Sequence, residues 1–381
     1  MNFQLNEEQR LIRDMVRDFA STEIAPLAAE IDRTREFPME SFRKCADLNL
    51  TGMMVSEEWG GAGLDAISYV LAIEELSRAC ASTGVIISVN NSLYCDPVER
   101  HGTDQQKERW LKPFALGQKL GCYCLTEPHA GSDAASLRTM AVQEGDNWVL
   151  NGSKVFVTNG IAAHGAIIYA NTDRSKGHRG VTAFIVDRDT PGYAIGKHET
   201  KMGITASGSV EIVLTDVRIT DDHRLGETGA GFKVAMSTLD GGRIGIAAQA
   251  IGIAQSALDH SLAYAKEREA FGRPIADLQA IQFKLADMAT RIDAARLLTY
   301  RAAAAKDSGR RFSQEAAMAK LMAAEVCVDA TREAVQIYGG YGYINEYPVE
   351  RLYRDAKITE IYEGTSEIQR VVIAAGLLKG A

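Results

Sequence analysis

The residues LQAIQFKLADMATRIDAARLLTYRA, 278–302, decide the fold of the C-terminal third of the chain. Apolar and small side chains recur there at alternating spacings of three and four, as on a helix that packs against other helices. These positions are Leu278, Ile281, Leu285, Met288, Ile292, Ala295, Thr299 and Ala302. A comparable stripe covers residues 244–265, and two further helices are expected downstream. Long helices with complementary apolar faces favour an antiparallel four-helix bundle over residues 231–381.

Short β-rich segments replace the helical pattern between residues 121 and 230. Turn signals at 144–147 and 151–152 separate segments such as 148–150 and 155–157. Because no helical pattern lies between these segments, an antiparallel sheet or barrel is favoured over a parallel sheet. Residues 1–120 show helical spacing instead. The sequence therefore predicts an α+β protein with an N-terminal helical domain (1–120), a middle β domain (121–230) and a C-terminal helical bundle (231–381).

Composition narrows the class of protein. A chain of 381 residues is too long for one ordinary core, and 46% hydrophobic with 24% charged residues is typical of a globular protein. A formal net charge of -8 argues against general nucleic-acid binding. The six cysteines form no CxxC pair, so no metal site is expected. Since neither a targeting peptide nor a bilayer-spanning segment is evident, a cytoplasmic location is expected.

One carboxylate near the C-terminus is a candidate catalytic base. Glu363 lies in the segment IYEGTSEIQR, 361–370, with apolar residues before it and Gly364 after it. Desolvation would raise the pKa of this carboxylate and make it a useful base near neutrality. Gly364 would allow a ligand to approach the backbone closely. Taken alone, the pattern is more typical of a helix end, so the role of Glu363 depends on segments upstream.

Four segments in order resemble the acyl-CoA dehydrogenase family over essentially the whole chain. They are YCLTEPHAGSD (123–133), FVTNG (156–160), REAFG (268–272) and the Glu363 segment. The segments SVNNSLY (88–94) and TLDGGRIGIA (238–247) resemble the short-chain, butyryl-CoA members most closely. The resemblance implies α,β-desaturation of a short-chain acyl-CoA to trans-2-enoyl-CoA. Glu363 is expected to remove the α-proton while hydride passes from the β-carbon to flavin N5.

The resemblance also implies FAD, held noncovalently between the β domain and the bundle. Thr126 and Thr158 offer hydroxyl groups to the polar edge of the flavin, and Arg268 suits the pyrophosphate of a neighbouring subunit's cofactor. The expected cofactor-binding residues are Tyr123, Cys124, Leu125, Thr126, Gly131, Ser132, Phe156, Val157, Thr158, Arg268, Phe271, Gln279, Gln336, Gly339, Gly340, Thr365 and Glu367.

The acyl-CoA substrate is expected, by the same resemblance, to contact Ser132, Asp240, Arg243 and Gly364. Asp240 and Arg243 are equally well placed for a simple i,i+3 ion pair on a helix. A subset of the family carries its base on another helix, where this chain has Gly242, so Glu363 is the only candidate of the two. The thioester oxygen is expected to accept a hydrogen bond from the Glu363 N–H.

Three positions depart from the family pattern. Phe156 stands where close relatives often have Trp, His129 replaces a common glycine, and Thr205 replaces a frequent basic residue. Tyr94 and residues 89–93 are expected to shape the end of a short acyl pocket.

The resemblance further implies electron-transfer flavoprotein as a partner and a homotetramer. Three alternative hypotheses about the function remain open. The chain could act on short branched-chain acyl-CoA, it could be a flavin acyl-CoA oxidase, or it could be a non-catalytic assembly protein on the same fold.

Overall fold

Helices form the N-terminal part of the computed structural model, which describes residues 4–379. Asn6 caps the first helix, because its side chain accepts from the Gln9 N–H at 2.8 Å. The ends of the predicted domains, residues 1–3 and 380–381, lie outside the described range. The helices are α1 (Glu7–Phe19), α2 (Ala28–Thr34), α3 (Met39–Asp47), α4 (Ala66–Ala79), α5 (Ala81–Ser88), α6 (Asp96–His101), α7 (Asp104–Trp110) and α8 (Lys112–Ala115).

An eight-stranded sheet follows. Its strands are β1 (Gly121–Cys124), β2 (Met140–Glu144), β3 (Asn147–Val157), β4 (Gly165–Asn171), β5 (Val181–Asp187), β6 (Tyr193–His198), β7 (Val210–Thr220) and β8 (Arg224–Leu225). Their order is β6-β7-β3-β2-β4-β5-β8, with β1 paired to β4. Most neighbours are antiparallel, as predicted, whereas β1 and β2 each pair parallel with β4. The C-terminal end of β1 and the bulged end of β3 both carry site residues.

Long helices complete the chain. They are α9 (Gly231–Glu267), α10 (Gln279–Asp307) and α11 (Ser313–Tyr338), followed by the shorter α12 (Pro348–Ala356) and α13 (Ser366–Lys379). A two-stranded ribbon, β9 (Glu269–Ala270) and β10 (Arg273–Pro274), links α9 to α10. The predicted stripe on α10 is buried from Met288 onward, but only partly buried before it. Within residues 4–379, no helix combines the length and the hydropathy needed to cross a bilayer.

The segment after Pro348 is not one long helix. A turn at residues 361–365 separates α12 and its short 3-10 extension (Lys357–Glu360) from α13. Glu363 therefore sits on an irregular backbone between two helices, both of which pack on α11. This break positions the candidate base.

The contact between α4 and α9 depends on Gly252. A Cβ at this position would lie 2.3 Å from the Glu74 carbonyl oxygen, so the backbones of the two helices would have to separate. We expect Gly252→Ala to lower the free energy of unfolding by about 1–3 kcal/mol through overpacking. Gly241→Ala on the same helix is the matched control, because its Cβ would meet only the Lys306 Nζ at 3.6 Å.

The control should gain about 0.5–1 kcal/mol from the better helix propensity of alanine. Thermal unfolding of both variants measures the difference. Equal melting temperatures for the two variants would contradict the close α4–α9 packing.

Candidate active site

A cavity of about 380 Å³ lies between the β domain and the C-terminal helices. Its walls come from the loop after β1, the end of β3, one face of α9 and the turn before α13. The lining includes ten predicted site residues, namely Tyr123, Leu125, Thr126, Gly131, Ser132, Phe156, Thr158, Arg243, Gly364 and Thr365, together with Glu363. A larger groove of about 660 Å³ follows residues 101–110 and 221–226 and contains no predicted site residue.

The backbone at Glu363 is held in an unusual conformation. Glu363 has φ +53° and Gly364 has φ +94°, so two consecutive residues are left-handed. A non-glycine residue in this region costs about 1–3 kcal/mol and persists only where its surroundings enforce it. Here side-chain donors enforce it, because Gln369 Nε2 donates to the Gly364 oxygen at 2.8 Å and Arg243 Nε approaches the Glu363 oxygen at 3.5 Å. The turn is therefore fixed by its neighbours, as a catalytic backbone requires.

The Glu363 carboxylate is buried without a partner. Both of its oxygens are inaccessible, and neither has a hydrogen-bond partner among the described residues. Burial raises the pKa of Glu363 to about 8, although the positive charges of Lys320 and Arg243 act in the opposite direction. A carboxylate with these properties is poised to accept a proton near neutral pH.

The backbone N–H of Glu363 is also available. It has no hydrogen-bond partner in the part of the chain that the structure describes. A free N–H beside a buried base can donate to a ligand oxygen that becomes negatively charged when a proton is removed.

Gly242 on α9 faces the carboxylate. A Cβ at residue 242 would lie 2.1 Å from Glu363 Oε2 and 2.7 Å from Leu93 Cδ2. The Glu363 side chain thus occupies the space into which a side chain at 242 would project. This geometry agrees with the inference that only Glu363 can serve as the base.

Arg243 and Asp240 form the i,i+3 ion pair that the sequence left open, at 2.7 Å. Asp240 also accepts from the Ser313 hydroxyl at 2.5 Å, which ties α9 to the start of α11. Arg243 is buried and lines the cavity, whereas Asp240 does not. The pair therefore fixes the guanidinium at the cavity wall.

The part of the cavity lining that comes from the β domain suits a planar, polar-edged ring. Phe156 is 65% exposed and left-handed, with φ +58°, at a bulge in the pairing of β3 with β7. A bulky residue in this conformation is rare and marks a functional constraint. The hydroxyls of Thr126 and Thr158 line the same cavity and have no hydrogen-bond partner among residues 4–379. An exposed ring face beside free hydroxyls fits the isoalloxazine of a flavin.

Other predicted cofactor residues lie elsewhere. The side chains of Cys124 and Val157 point into the core of the sheet, so only their backbones can face the cavity. A second group is exposed and does not line the cavity of its own chain, namely Arg268, Phe271, Gln279, Gln336, Gly339, Gly340 and Glu367. The single chain does not bring this group to the base.

Tyr94 does not reach the cavity, which corrects the expectation that it shapes the acyl pocket. Its ring stacks on Phe114 at 4.3 Å in a separate core cluster, whereas Val89 and Leu93 do line the cavity. The segment Val89–Cys95 is a π-helix, which shifts side-chain directions relative to a regular helix. The sequence pattern gave no signal for this shift.

Two departures from the family pattern have a local structural account. His129 Nε2 lies 3.5 Å from Glu127, whose carboxylate is paired with the buried Lys154 at 2.7 Å. Thr205 donates to the Asp32 carboxylate at 2.9 Å, and Asp32 also pairs with Arg354. Both residues thus take part in networks of ion pairs and hydrogen bonds that stabilise loops of the β domain.

Sequence reasoning missed two residues beside the base, Lys320 and Gln369. Lys320 is fully buried on α11, and its Nζ donates to the Gly364 oxygen at 2.8 Å. A signal for it existed, because Lys320 interrupts a helical stripe of small residues at Ala316, Ala323 and Cys327. A lysine at a core position is rare unless it has a specific partner.

Three family models match consecutive parts of the chain. They describe the N-terminal domain (residues 6–118), the middle domain (122–217) and the C-terminal domain (229–378) of acyl-CoA dehydrogenase. Together these matches cover most of the sequence.

Individual relatives agree with the family models. The mitochondrial short-chain specific acyl-CoA dehydrogenase of Bos taurus is 54% identical over 376 residues, covering 99% of this chain and 91% of that protein. The butyryl-CoA dehydrogenase structure from Megasphaera elsdenii superposes with a TM-score of 0.98 and 47% identity, over 99% of this chain and 100% of that one. A chain from a structural study of the electron transferring flavoprotein of Acidaminococcus fermentans has the same TM-score and identity, over 100% of both chains.

Burial of Glu363 should make the stability of the protein depend on pH. The pKa of this carboxyl group rises from an ordinary 4.5 to about 8 on folding, so its cost is absent below pH 4.5 and complete above pH 8. We expect Glu363→Gln to leave the melting temperature unchanged near pH 5 and to raise it at pH 8.5. The gain in free energy of unfolding should be on the order of a few kcal/mol.

Thermal unfolding between pH 5 and 9 measures this dependence. Glu144→Gln is the control, because Glu144 pairs with Arg218 at the surface. A difference between wild type and Glu363→Gln that does not change with pH would contradict the burial argument.

Proposed function

Because the chain belongs to the acyl-CoA dehydrogenase family, we propose that it desaturates a short-chain acyl-CoA of the butyryl type to trans-2-enoyl-CoA. The observation that carries the proposal is the Glu363 carboxylate, which is buried without a hydrogen-bond partner among residues 4–379, in a cavity whose β-domain lining suits a flavin. The relatives named short-chain specific and butyryl-CoA dehydrogenase support the substrate class. This reaction is a step of fatty acid β-oxidation.

FAD is the cofactor, and the residues present fit it. Phe156 would cover the ring, while Thr126 and Thr158 would donate to its polar edge from the cavity wall. The backbones of Tyr123, Cys124, Leu125 and Val157, with Gly131, Ser132 and Thr365, would complete this part of the site. When bound, FAD supplies the acceptor for the hydride that leaves the β-carbon of the substrate.

Glu363 takes the α-proton in this proposal. As the α C–H bond breaks, negative charge develops on the thioester oxygen, and the free Glu363 N–H is placed to donate to it. A preorganised donor of this kind typically contributes about 3 kcal/mol to the transition state. Because burial raises the pKa of Glu363 to about 8, the free protein gains its active base as the pH rises through that value.

Arg243, Ser132 and Gly364 would contact the substrate at the cavity wall and mouth. Gly364 has no side chain between its backbone and the thioester, and Ser132 is exposed near the opening. Asp240 would act on the substrate only through Arg243, whose guanidinium it holds.

The exposed cofactor residues are explained if a second copy of the chain completes each site. Arg268 and Gln279 are exposed, and Phe271 between them is 92% exposed at the tip of the β9–β10 ribbon. A surface aromatic of this exposure favours an interface. We include in the proposal a homotetramer in which Arg268, Phe271, Gln279, Gln336, Gly339, Gly340 and Glu367 contact FAD of a neighbouring subunit.

Electron-transfer flavoprotein fits as the electron acceptor, given the similarity to the chain from the Acidaminococcus fermentans study. A cytoplasmic location, without membrane or nucleic-acid partners, remains part of the proposal on the charge and composition of the chain.

Anaerobic titration with acyl-CoAs of increasing length, and with short branched ones, tests the proposed function. We expect flavin absorbance to bleach most strongly with butyryl-CoA. Glu363→Gln should lose roughly a hundredfold or more in bleaching rate, since a general base is removed. Glu144→Gln, the same change at an exposed position of β2, should retain the wild-type rate.

Three outcomes would overturn parts of this proposal. Near-normal bleaching by Glu363→Gln would exclude Glu363 as the base. Rapid reoxidation in air with formation of peroxide would indicate an oxidase. Flavin-saturated protein that bleaches with no acyl-CoA would indicate a non-catalytic assembly protein.

A further inference from the structure

Lys320 is a buried cation that the proposed mechanism does not yet use. It lies in the N-terminal third of α11, is 0% exposed, and has small buried residues one helical turn before and after it, at Ala316, Ala323 and Ala324. Among the described residues it forms no ion pair with a carboxylate, and its ammonium donates to one acceptor, the Gly364 oxygen at 2.8 Å. A buried ammonium without a close counter-ion is costly and needs a compensating function.

The acceptor of Lys320 belongs to the catalytic turn itself. The Gly364 carbonyl follows the Glu363 side chain directly, and both residues are left-handed. Gln369 Nε2 donates to the same oxygen from α13, at 2.8 Å. The turn is thus held between α11 and α13, and Lys320 is the charged member of this pair of donors.

We propose that Lys320 is a positioning residue for Glu363. From the core of α11, its ammonium fixes the Gly364 carbonyl, and hence the left-handed turn that directs the Glu363 carboxylate into the cavity. Its positive charge also favours the ionised form of that carboxylate. The inference rests on the proposed function, in which Glu363 is the base.

The electrostatic surroundings support this role. Burial lowers the pKa of Lys320 to about 8, while the nearby Glu363 carboxylate raises it. Lys320 in turn lowers the pKa of Glu363 more than Arg243 does. The charged groups that face Lys320 are Glu363, Arg243, Glu360 and Glu367, and the phenols facing Glu363 are those of Tyr69, Tyr123 and Tyr362. Burial raises the pKa of each of these phenols, so they stay neutral in the working range.

The test compares the pH profiles of kcat/KM for butyryl-CoA in wild type, Lys320→Met, Lys320→Gln and Lys320→Arg, all purified with flavin. Methionine removes both the charge and the donor, glutamine keeps a donor, and arginine keeps the charge. Without the positive charge, the apparent pKa of the base should rise. We therefore expect kcat/KM of Lys320→Met to fall about tenfold or more at pH 7, with most of the loss in kcat.

The other variants separate the hydrogen bond that Lys320 donates from the effect of its positive charge. Lys320→Gln should recover rate at pH 9.5 but keep the shifted profile, whereas Lys320→Arg should return the profile toward that of wild type. Lys176→Met is the control, because it removes an exposed lysine that pairs with Asp173 and does not line the cavity, and it should leave the profile unchanged. If Lys320→Met does not fold, the glutamine and arginine variants decide the question by the same criteria.

A wild-type profile in a folded, flavin-loaded Lys320→Met or Lys320→Gln would overturn the proposal. A lower melting temperature with an unchanged pH profile would do so too, since it would show a purely structural role. Measuring the wild-type protein in parallel distinguishes a failure of the proposed function from a failure of the proposed role of Lys320. If wild type itself does not bleach with butyryl-CoA, the proposed function fails, whereas variants that behave like an active wild type refute only the role of Lys320.

Discussion

Burial of one carboxylate that has no hydrogen-bond partner in the described part of the chain is the constraint on which the site depends. Glu363 carries two inaccessible oxygens, and burial raises its pKa to about 8. In water, this group would be an ordinary weak base. The rest of the fold encloses the carboxylate, because α9, the β domain and the turn before α13 line the cavity around it.

Neighbouring residues control how that carboxylate is presented. Gly242 leaves the space that the side chain enters, and Arg243 and Lys320 place positive charges nearby. Gln369 and Lys320 hold the carbonyl that follows, so the left-handed backbone of Glu363 is maintained. Although Glu363 lies on a turn, hydrogen bonds from α11 and α13 hold that turn in one conformation. Proton transfer requires such a fixed position of the carboxylate relative to the substrate.

The sequence predicted the order of helices and strands because periodicity is a local property, visible on α10 and in the turn signal at 144–147. The turn predicted at 151–152 is wrong, since these residues form an irregularity within the single strand β3. It also indicated Glu363 and the cavity-lining threonines, through motifs whose spacing the fold preserves. It misplaced Tyr94, because a π-helix reorients side chains without altering their apolar pattern. Lys320 escaped notice because its partner, a carbonyl 44 residues away, is a tertiary contact. The exposed residues around Arg268 are proposed to act in a neighbouring subunit's site. A local sequence pattern does not specify how two chains associate.

The ionisation of Glu363 itself is the most direct test of this account. Infrared difference spectra of the carboxyl stretch, recorded as the pH is varied and compared with Glu363→Gln, would isolate the titration of this group. The account predicts a protonated carboxyl at pH 6 that ionises near pH 8. Ionisation near pH 4.5, as for an exposed glutamate, would show that the carboxylate is solvated and would contradict the central claim.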